Sequence, residues 1–208
     1  MNNFTTVTNP LVKRDLTILR DKYTEQEDFR RALKRLGCNL AIAISDKFEL
    51  AEKDVLTPLE KTTGHEISKQ ITLIPILRAG LSMVDPFLDL IPEAKVGHIG
   101  LERNEETLQP ASYYYKTPSD LDKGITIILD PMLATGGSAS VAIDYIKDRG
   151  ATNIIFACIV AAPRGVERIN NYHPEVPIYA TVLDRQLNDV GYIVPGLGDA
   201  GDRTFGTL

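Results

Sequence analysis

The sequence has few of the residues on which metal centres and disulfides depend. Its 208 residues include only two cysteines and three histidines, and His65, His98 and His173 stand singly, without the spacing of zinc ligands. No apolar run is long enough to cross a membrane, and residues 1–6 lack the charged and apolar regions of a secretion signal. We therefore expect a soluble, cytoplasmic protein without structural zinc and with no membrane partner.

Positive charge is also scarce. The net charge is −5 and the sequence pI is about 5.3, which argues against a basic surface for nucleic acid. Any attraction for phosphate must therefore be local. Cys158 falls inside an apolar run and is expected to be a buried core residue in a reducing compartment, and neither it nor Cys38 is expected to be catalytic.

The apolar segments that are present alternate with helical stretches. Such an alternation predicts an α/β fold with a doubly wound, mainly parallel central sheet. The length suits a single domain, in which residues 1–70 form N-terminal helices and a hairpin excursion, 71–183 the core sheet and 184–208 a C-terminal hood. The helical face is expected at Leu33, Leu36, Leu40 and Ala43 or Ile44, and strands at 71–76, 95–101, 125–129, 154–161 and 178–182.

The segment 130–138 is the most informative part of the chain. Asp130 follows a buried strand, and helical spacing resumes after Ser138 and ends near Gly150, a candidate left-handed cap. Gly136 and Gly137 would let the backbone approach an anion, with hydroxyl donors from Thr135 and Ser138.

The chemistry of this segment suits a ribose 5-phosphate. The carboxylate of Asp130 would accept hydrogen bonds from ribose hydroxyls while the loop binds the phosphate. Neither the Walker lysine nor a G-x-G-x-x-G pattern is present. Taken alone, the motif is equally consistent with an ordinary strand-to-helix turn.

Two further strand ends carry arginine. Arg78 precedes Ala79 and Gly80, and the arginine fork suits phosphate oxygens, although a solvated loop arginine is the alternative. Arg103 opens the run RNEET, which is followed by a long segment to residue 120. That segment is either a lid or, as we prefer, a hairpin whose tyrosines at 113–115 pack on the core.

The C-terminal residues 191–206 contain five glycines, which makes a regular helix improbable there. Tyr192, Ile193, Val194, Leu197 and Phe205 argue against disorder. An ordered glycine-rich loop exposes backbone donors and acceptors that can read the edge of a planar base. A base with the opposite donors and acceptors would leave such groups unpaired, at a cost of roughly 1–3 kcal/mol each.

These motifs together resemble the uracil branch of the type I phosphoribosyltransferases. The resemblance extends from residue 9 to 207, is weakest at 45–70, and is carried by the strand-loop run ending in DPMLATGGS, the Arg78 loop, RNEET and GYIVPGLGDAGDRTFGT. Many relatives have two consecutive acids where this chain has Asp130 and Pro131, a departure typical of the uracil branch.

The resemblance implies a transfer from 5-phosphoribosyl 1-diphosphate (PRPP) to uracil, giving UMP and diphosphate, with Mg²⁺ bound through PRPP. Asp199, Arg103 and Asp130 would be catalytic. The implied uracil contacts are Ile193, Gly198, Asp199 and Ala200. The implied PRPP contacts are Arg78, Arg103, Asp130, Pro131, Met132, Leu133, Ala134, Thr135, Gly136, Gly137, Ser138 and Asp199.

The resemblance also implies at least a homodimer, and some relatives are tetramers that GTP activates. Two other functions stay open. One is a regulatory RNA-binding protein that retains this fold, which the acidic pI disfavours. The other is a purine or orotate phosphoribosyltransferase, which explains the segment GLGDAGD less well.

Overall fold

A computed structural model describes residues 3–103 and 110–207, and the side chains of residues 102–103 and 110–112 lie outside that description. The helices are α1 (Pro10–Arg20), α2 (Gln26–Ser45), α3 (Val84–Leu88), α4 (Gly137–Lys147), α5 (Pro163–Tyr172) and α6 (Ala200–Phe205), with 3₁₀ turns at Ala79–Met83 and Leu121–Lys123. None of the helices in the described ranges is long and apolar enough to cross a membrane.

The strands follow the predicted rhythm from residue 70 onward. They are β1 (Phe4–Thr6), β2 (Leu50–Leu56), β3 (Lys61–Ile67), β4 (Gln70–Leu77), β5 (Lys95–Val96), β6 (His98–Arg103), β7 (Pro110–Lys116), β8 (Gly124–Leu129), β9 (Met132–Leu133), β10 (Ile154–Ala161), β11 (Ile178–Leu183), β12 (Gln186–Leu187) and β13 (Ile193–Val194).

The central sheet is mainly parallel, as predicted. Its strand order is β1-β11-β10-β8-β4-β6-β7, and β5 and β9 add short pairings to β4 and β10. Within this order β7 is antiparallel to β6, and the other neighbours are parallel. The carboxyl ends of β8, β4 and β6 consequently lie side by side at one edge, where α/β sheets bind ligands.

Alternate residues of the central strands enter two separate cores. On β10, Ile155 packs in the core that includes α2, and Phe156 packs in the core that includes α4 and α5. A strand buried on both faces needs apolar residues at every position, which β10 has. The predicted faces of α2, with Ile44 rather than Ala43 fully buried, and of α4 are both confirmed. The sheet is therefore doubly wound.

The N-terminal helices are joined rigidly to each other and to the sheet. Asn9 caps α1 by accepting a hydrogen bond from the Val12 N–H at 2.9 Å. Asp15 on α1 is fully buried and accepts two hydrogen bonds from Arg35 of α2, at 2.8 and 2.9 Å. Burial alone would raise the pKa of the Asp15 carboxyl, but Arg35 and Arg14 hold it below its usual value.

Four local predictions need correction. The helical stretch expected from Leu16 to about Leu50 starts earlier, at Pro10, and is interrupted between Arg20 and Gln26. The strand expected at 95–101 is split at Gly97, whose N–H donates to the Leu73 carbonyl at 2.9 Å. A short helix, α6, forms inside the glycine-rich segment because Gly198 and Gly206 lie outside it and Gly201 alone lies within it.

The fourth correction concerns the tyrosines. The hairpin of β6 and β7 is confirmed, but Tyr113 and Tyr114 are exposed rather than packed on the core. Tyr115 alone is partly buried, beside Tyr145 and under the Arg149 guanidinium. The lid proposed for the segment between the two strands involves residues 104–109, which lie outside the described residues.

Candidate active site

The phosphate loop, residues 130–138, connects β8 to α4. Asp130 Oδ1 accepts a hydrogen bond from the Met132 N–H at 3.2 Å, which closes a tight turn at the end of the strand. Met132 and Leu133 then pair with β10 as β9. Gly136 is left-handed at φ 76° and α4 starts at the next residue, so the first N–H groups of α4 face the loop, where a helix offers donors without intrahelical acceptors.

The phosphate loop lies directly against the start of α5. A Cβ on Gly165 would be 2.7 Å from the Ala134 carbonyl oxygen, and one on Gly136 would be 3.0 Å from the Gly165 carbonyl oxygen. Glycine is needed at both positions because the two backbones touch there. The contact with α5 therefore helps to fix the shape of the loop.

Asp130 is in an environment that disfavours its charged form. The pKa of its carboxyl is raised to about 7, mainly by burial; the Met132 N–H offsets part of this shift, and the nearby Asp199 carboxylate adds to it. Asp130 and Asp199 are thus close enough to interact electrostatically although they are far apart in the sequence. Within the described residues no group of three or more His, Cys, Asp or Glu side chains could hold a metal ion alone.

Arg78 follows β4, the strand next to β8, where Pro75 pairs with Leu129. The turn after Arg78 is packed tightly, since a Cβ on Gly80 would be 2.3 Å from the Leu129 carbonyl oxygen. The peptide bond between Leu77 and Arg78 is cis. The Arg78 side chain is therefore presented at the same sheet edge as Asp130.

The C-terminal segment, residues 184–207, closes over this edge. Arg78 Nη2 donates to Asp202 Oδ1 at 3.1 Å, and Nη1 donates to Thr207 Oγ1 at 3.3 Å. The Thr207 hydroxyl also donates to Asp202 Oδ1 at 2.6 Å. Hydrogen bonds from Thr207 and then Arg78 hold the pKa of the Asp202 carboxyl below its usual value. The predicted diphosphate loop and the predicted base segment are thus in direct contact.

Within the C-terminal segment, β12 and β13 form an antiparallel pair and α6 follows. Ile193 and Ala200 are buried, and Gly198 is exposed with φ of 79°. Asp199 caps α6, since its Oδ1 accepts a hydrogen bond from the Asp202 N–H at 2.9 Å. Of the four residues predicted for uracil, three are thus consecutive at the start of α6.

The structure brings Arg78, Asp130, the phosphate loop and Asp199 together at one edge of the sheet. Arg103 ends β6, the strand on the other side of β4, and its side chain lies outside the described part. Sequence reasoning missed Asp202 and Thr207, which hold Arg78. The acidic and hydroxyl residues of GDAGDRTFGT were a signal for them, but their arginine partner is more than 120 residues away.

Comparison with known proteins identifies the family of this chain. The family model described as uracil phosphoribosyltransferase matches residues 6–207. Proteins named uracil phosphoribosyltransferase from Salinibacter ruber and Streptococcus salivarius are 50% identical over 207 residues and 49% identical over 208 residues. These alignments cover all of this chain and 99% and 100% of the two relatives.

Solved structures agree on the fold. A protein from Aquifex aeolicus is 40% identical, with a TM-score of 0.92 and coverage of 97% of both chains. An adenine phosphoribosyltransferase from Trypanosoma brucei is 12% identical, with a TM-score of 0.60, and covers 88% of this chain and 84% of its own, a likeness of fold alone. The family match over nearly the whole chain, with relatives at half identity, places this chain in the uracil phosphoribosyltransferase family.

Proposed function

We propose that this protein transfers the 5-phosphoribosyl group of PRPP to uracil, giving UMP and diphosphate. The observation that carries the proposal is the contact between the predicted PRPP-binding elements and the C-terminal segment. Arg78, at the end of a core strand, donates hydrogen bonds to Asp202 and Thr207 of the C-terminal segment. The Asp199 carboxylate contributes to the raised pKa of the Asp130 carboxyl. A reaction between two substrates needs both binding elements around one centre.

The proposed transfer forms a bond from uracil N1 to the anomeric carbon and breaks the bond from that carbon to the diphosphate oxygen. The diphosphate leaves with the bonding electron pair, and uracil gives up its N1 proton. Because the anomeric carbon becomes cationic as the bond breaks, the protein has to orient the two substrates and stabilise the charge that develops on diphosphate. No protein nucleophile is required.

The phosphate loop is proposed to bind the 5-phosphate with its backbone donors and with the hydroxyls of Thr135 and Ser138. The start of α4 favours an anion at this position. Asp130 would accept hydrogen bonds from the ribose hydroxyls, for which its ionised form is the better acceptor. Arg78 and Arg103 are proposed to bind the diphosphate.

The residues present fit Mg²⁺ that is held mainly by PRPP. The negative charge of Asp199 disfavours ionisation of the Asp130 carboxyl. A cation near both carboxyls would reduce this repulsion. When bound, Mg²⁺ would neutralise charge on the diphosphate. The chain's own residues would position PRPP beside these two carboxyls.

The base is proposed to contact Ile193 and residues 198–200. Asp199 is proposed to organise either the magnesium-bound water or the base, since it caps α6 and its carboxylate acts on that of Asp130. An Asp199→Asn protein with unchanged turnover and unchanged affinities for both substrates would refute that role.

The decisive experiment is a UMP-formation assay with Mg²⁺, PRPP and one labelled base at a time. Uracil, cytosine, orotate, adenine and hypoxanthine are compared at equal concentration. We expect product from uracil and little from the other four. Cytosine reverses donors and acceptors and leaves buried groups unpaired, orotate adds a charged carboxylate, and the two purines are larger than uracil. Absence of product with uracil, or a faster reaction with another base, contradicts the proposal.

We also propose that the protein works as a homodimer or larger homo-oligomer and that GTP is an effector. The hairpin of β2 and β3 supports association, since it projects exposed apolar side chains at Leu50, Leu56 and Leu59. Light scattering in dilute solution would give the mass. The UMP assay with and without GTP would test the effector, and identical rates would count against it.

A further inference from the structure

The backbone of the C-terminal segment is held by a buried ion pair that connects distant parts of the chain. Arg20, the last residue of α1, donates from Nη2 to Asp184 Oδ1 at 2.6 Å and from Nη1 to Asp184 Oδ2 at 3.0 Å. The Asp184 side chain is 4% exposed and that of Arg20 is 25% exposed. A bidentate arginine-carboxylate pair of this kind fixes direction as well as distance.

Both members of the pair also bond to the same glycine. Arg20 Nη1 donates to the Gly196 carbonyl at 3.0 Å, and the Gly196 N–H donates to Asp184 Oδ2 at 2.8 Å. Gly196 is left-handed at φ 59° and is only two residues from Gly198, where the proposed uracil contacts resume. Hydrogen bonds to both its N–H and its carbonyl therefore fix the backbone position of Gly196.

A second arginine, Arg203, bonds to the backbone of the next residue, Leu197. Arg203 on α6 donates to the Leu197 carbonyl at 2.8 Å, to the Asp21 carbonyl at 2.7 Å and to the Leu19 carbonyl, and its guanidinium lies 4.4 Å from the centre of the Phe29 ring. The end of α1 thus contacts Gly196 directly through Arg20, and Arg203 links the Leu197 backbone to the same end of α1.

Stability alone is a weak reason for this arrangement. A buried ion pair contributes little net stability compared with apolar residues of the same volume, because both charges lose their hydration. Its advantage is directional, since each charged group here orients a backbone atom. The base segment also needs such help, because β12 and β13 have only two residues each and glycines flank β13.

We propose that Arg20, Asp184 and Arg203 are positioning residues for the base, which set the backbone at 196–198 so that residues 198–200 meet uracil. This inference rests on the proposed function. The end of α1 is a suitable reference point because Asp15 and Arg35 join that helix to α2 in the core. The phosphate loop does not depend on this contact, since α5 holds it separately.

The test compares Arg20→Lys, Asp184→Asn and the double variant with a matched control, Arg31→Lys, whose arginine makes an exposed pair with Glu27 on α2. Steady-state kinetics gives kcat and the two KM values for each protein. We expect the KM for uracil to rise about ten-fold in each single variant, with the KM for PRPP within about two-fold of the starting value, because each change removes a charged hydrogen bond to the base segment only.

The double variant should raise the KM for uracil by less than the product of the two single effects, because both act through Gly196. Arg31→Lys should change neither KM. Thermal unfolding is measured in parallel, and if Asp184→Asn does not fold, the partly exposed side chain of Arg20 makes Arg20→Lys the variant that decides the outcome.

An unchanged KM for uracil in folded Arg20→Lys overturns the inference, and so does an equal rise in both KM values, which indicates general damage. The unsubstituted protein is the separate arm for the proposed function. If it forms no UMP from uracil, the proposed function fails. If it forms UMP and Arg20→Lys behaves identically, only the positioning role fails.

Discussion

The phosphate loop and the C-terminal segment form the two sides of one site, but they are held in different ways. The phosphate loop is held by elements closer to it in sequence: Asp130 closes a turn onto Met132, and the loop packs against the start of α5. The C-terminal segment depends on partners at the other end of the chain, because Arg20 and Asp184 are separated by 164 residues.

This difference corresponds to the different requirements for binding a phosphate and binding a planar base. A phosphate is bound by backbone donors at a helix start, which local sequence is enough to produce. A planar base has to be read along one edge, so the loop that reads it must hold a fixed angle to the phosphate site. Long-range side-chain contacts supply that angle here.

The largest effect is expected from Gly196→Ala. A Cβ at this position would be 2.1 Å from the Ile193 carbonyl oxygen, and the residue has a positive φ. The backbone between Ile193 and Gly198 must then move, and the rate of UMP formation at low uracil should fall by about 100-fold or more. Initial rates at limiting uracil check this prediction.

Gly191→Ala is the matched control for that change. Gly191 also has a positive φ, at 89°, but a Cβ there meets nothing within 4 Å. We expect only the strain of a left-handed alanine, about 1–2 kcal/mol of stability, and near-normal kinetics. Similar losses of activity in both variants would mean that strain, rather than the position of residue 196, matters.

On the phosphate side, Gly136→Ala is expected to have the next largest effect. Its Cβ would be 3.0 Å from the Gly165 carbonyl oxygen and 3.2 Å from Arg168, so the loop would shift away from α5. The KM for PRPP should rise by about 30-fold with little change in the KM for uracil. Substrate saturation curves for the two substrates separate these effects.

Gly150→Ala controls for the loss of a left-handed glycine near the same helix. Gly150 has φ of 93°, and a Cβ added there would lie 3.7 Å from its nearest neighbour, Asp122 Cβ. We expect reduced thermal stability with unchanged affinity for PRPP. If Gly150→Ala also raised the KM for PRPP, the close contact with α5 would not be the cause.

A smaller effect is expected where the two sides meet. Arg78→Gln removes the charge and weakens the hydrogen bonds to Asp202 and Thr207, at a side chain that is 57% exposed. The value of kcat should fall by about ten-fold, because the arginine is proposed to bind the leaving diphosphate. A change confined to the KM for uracil would assign Arg78 to the base side instead.

The phosphate side was predicted well because its signals are local. A run of apolar residues defines β8, and Asp130 follows where the strand ends. The parallel arrangement of strands then puts Arg78 beside it, since β4 and β8 are neighbours. Family likeness added the roles of these residues, which stay predictions.

The base side was predicted less completely for a physical reason. No short pattern connects Arg20 with Asp184, or Arg78 with Asp202, because each pair meets only after the sheet has formed. The prediction was also wrong about α6, since the number of glycines was weighed without regard to their positions. Two of those glycines lie at the helix boundaries, where a left-handed residue ends or precedes a helix.

The final prediction compares how the loss of two different aspartates changes the free energy of unfolding. In the folded protein the pKa of Asp130 is raised to about 7, whereas an unfolded aspartate titrates near 3.9. Between about pH 4 and pH 7 the folded state keeps a proton that the unfolded state has lost, so this group makes the protein less stable as the pH rises. Asp130→Asn should therefore increase the free energy of unfolding by about 1–2 kcal/mol near pH 8, and by much less near pH 4.

Asp184→Asn should act in the opposite direction. Unlike Asp130, Asp184 has a carboxylate that accepts hydrogen bonds from Arg20 and from the Gly196 N–H. Its loss leaves a partly buried arginine without its partner, so unfolding should become easier near pH 8. Denaturant unfolding of the two variants at both pH values measures the contrast. Destabilisation by both substitutions would mean that Asp130 is held as firmly as Asp184, and that the phosphate side, too, depends on a carboxylate for its fold.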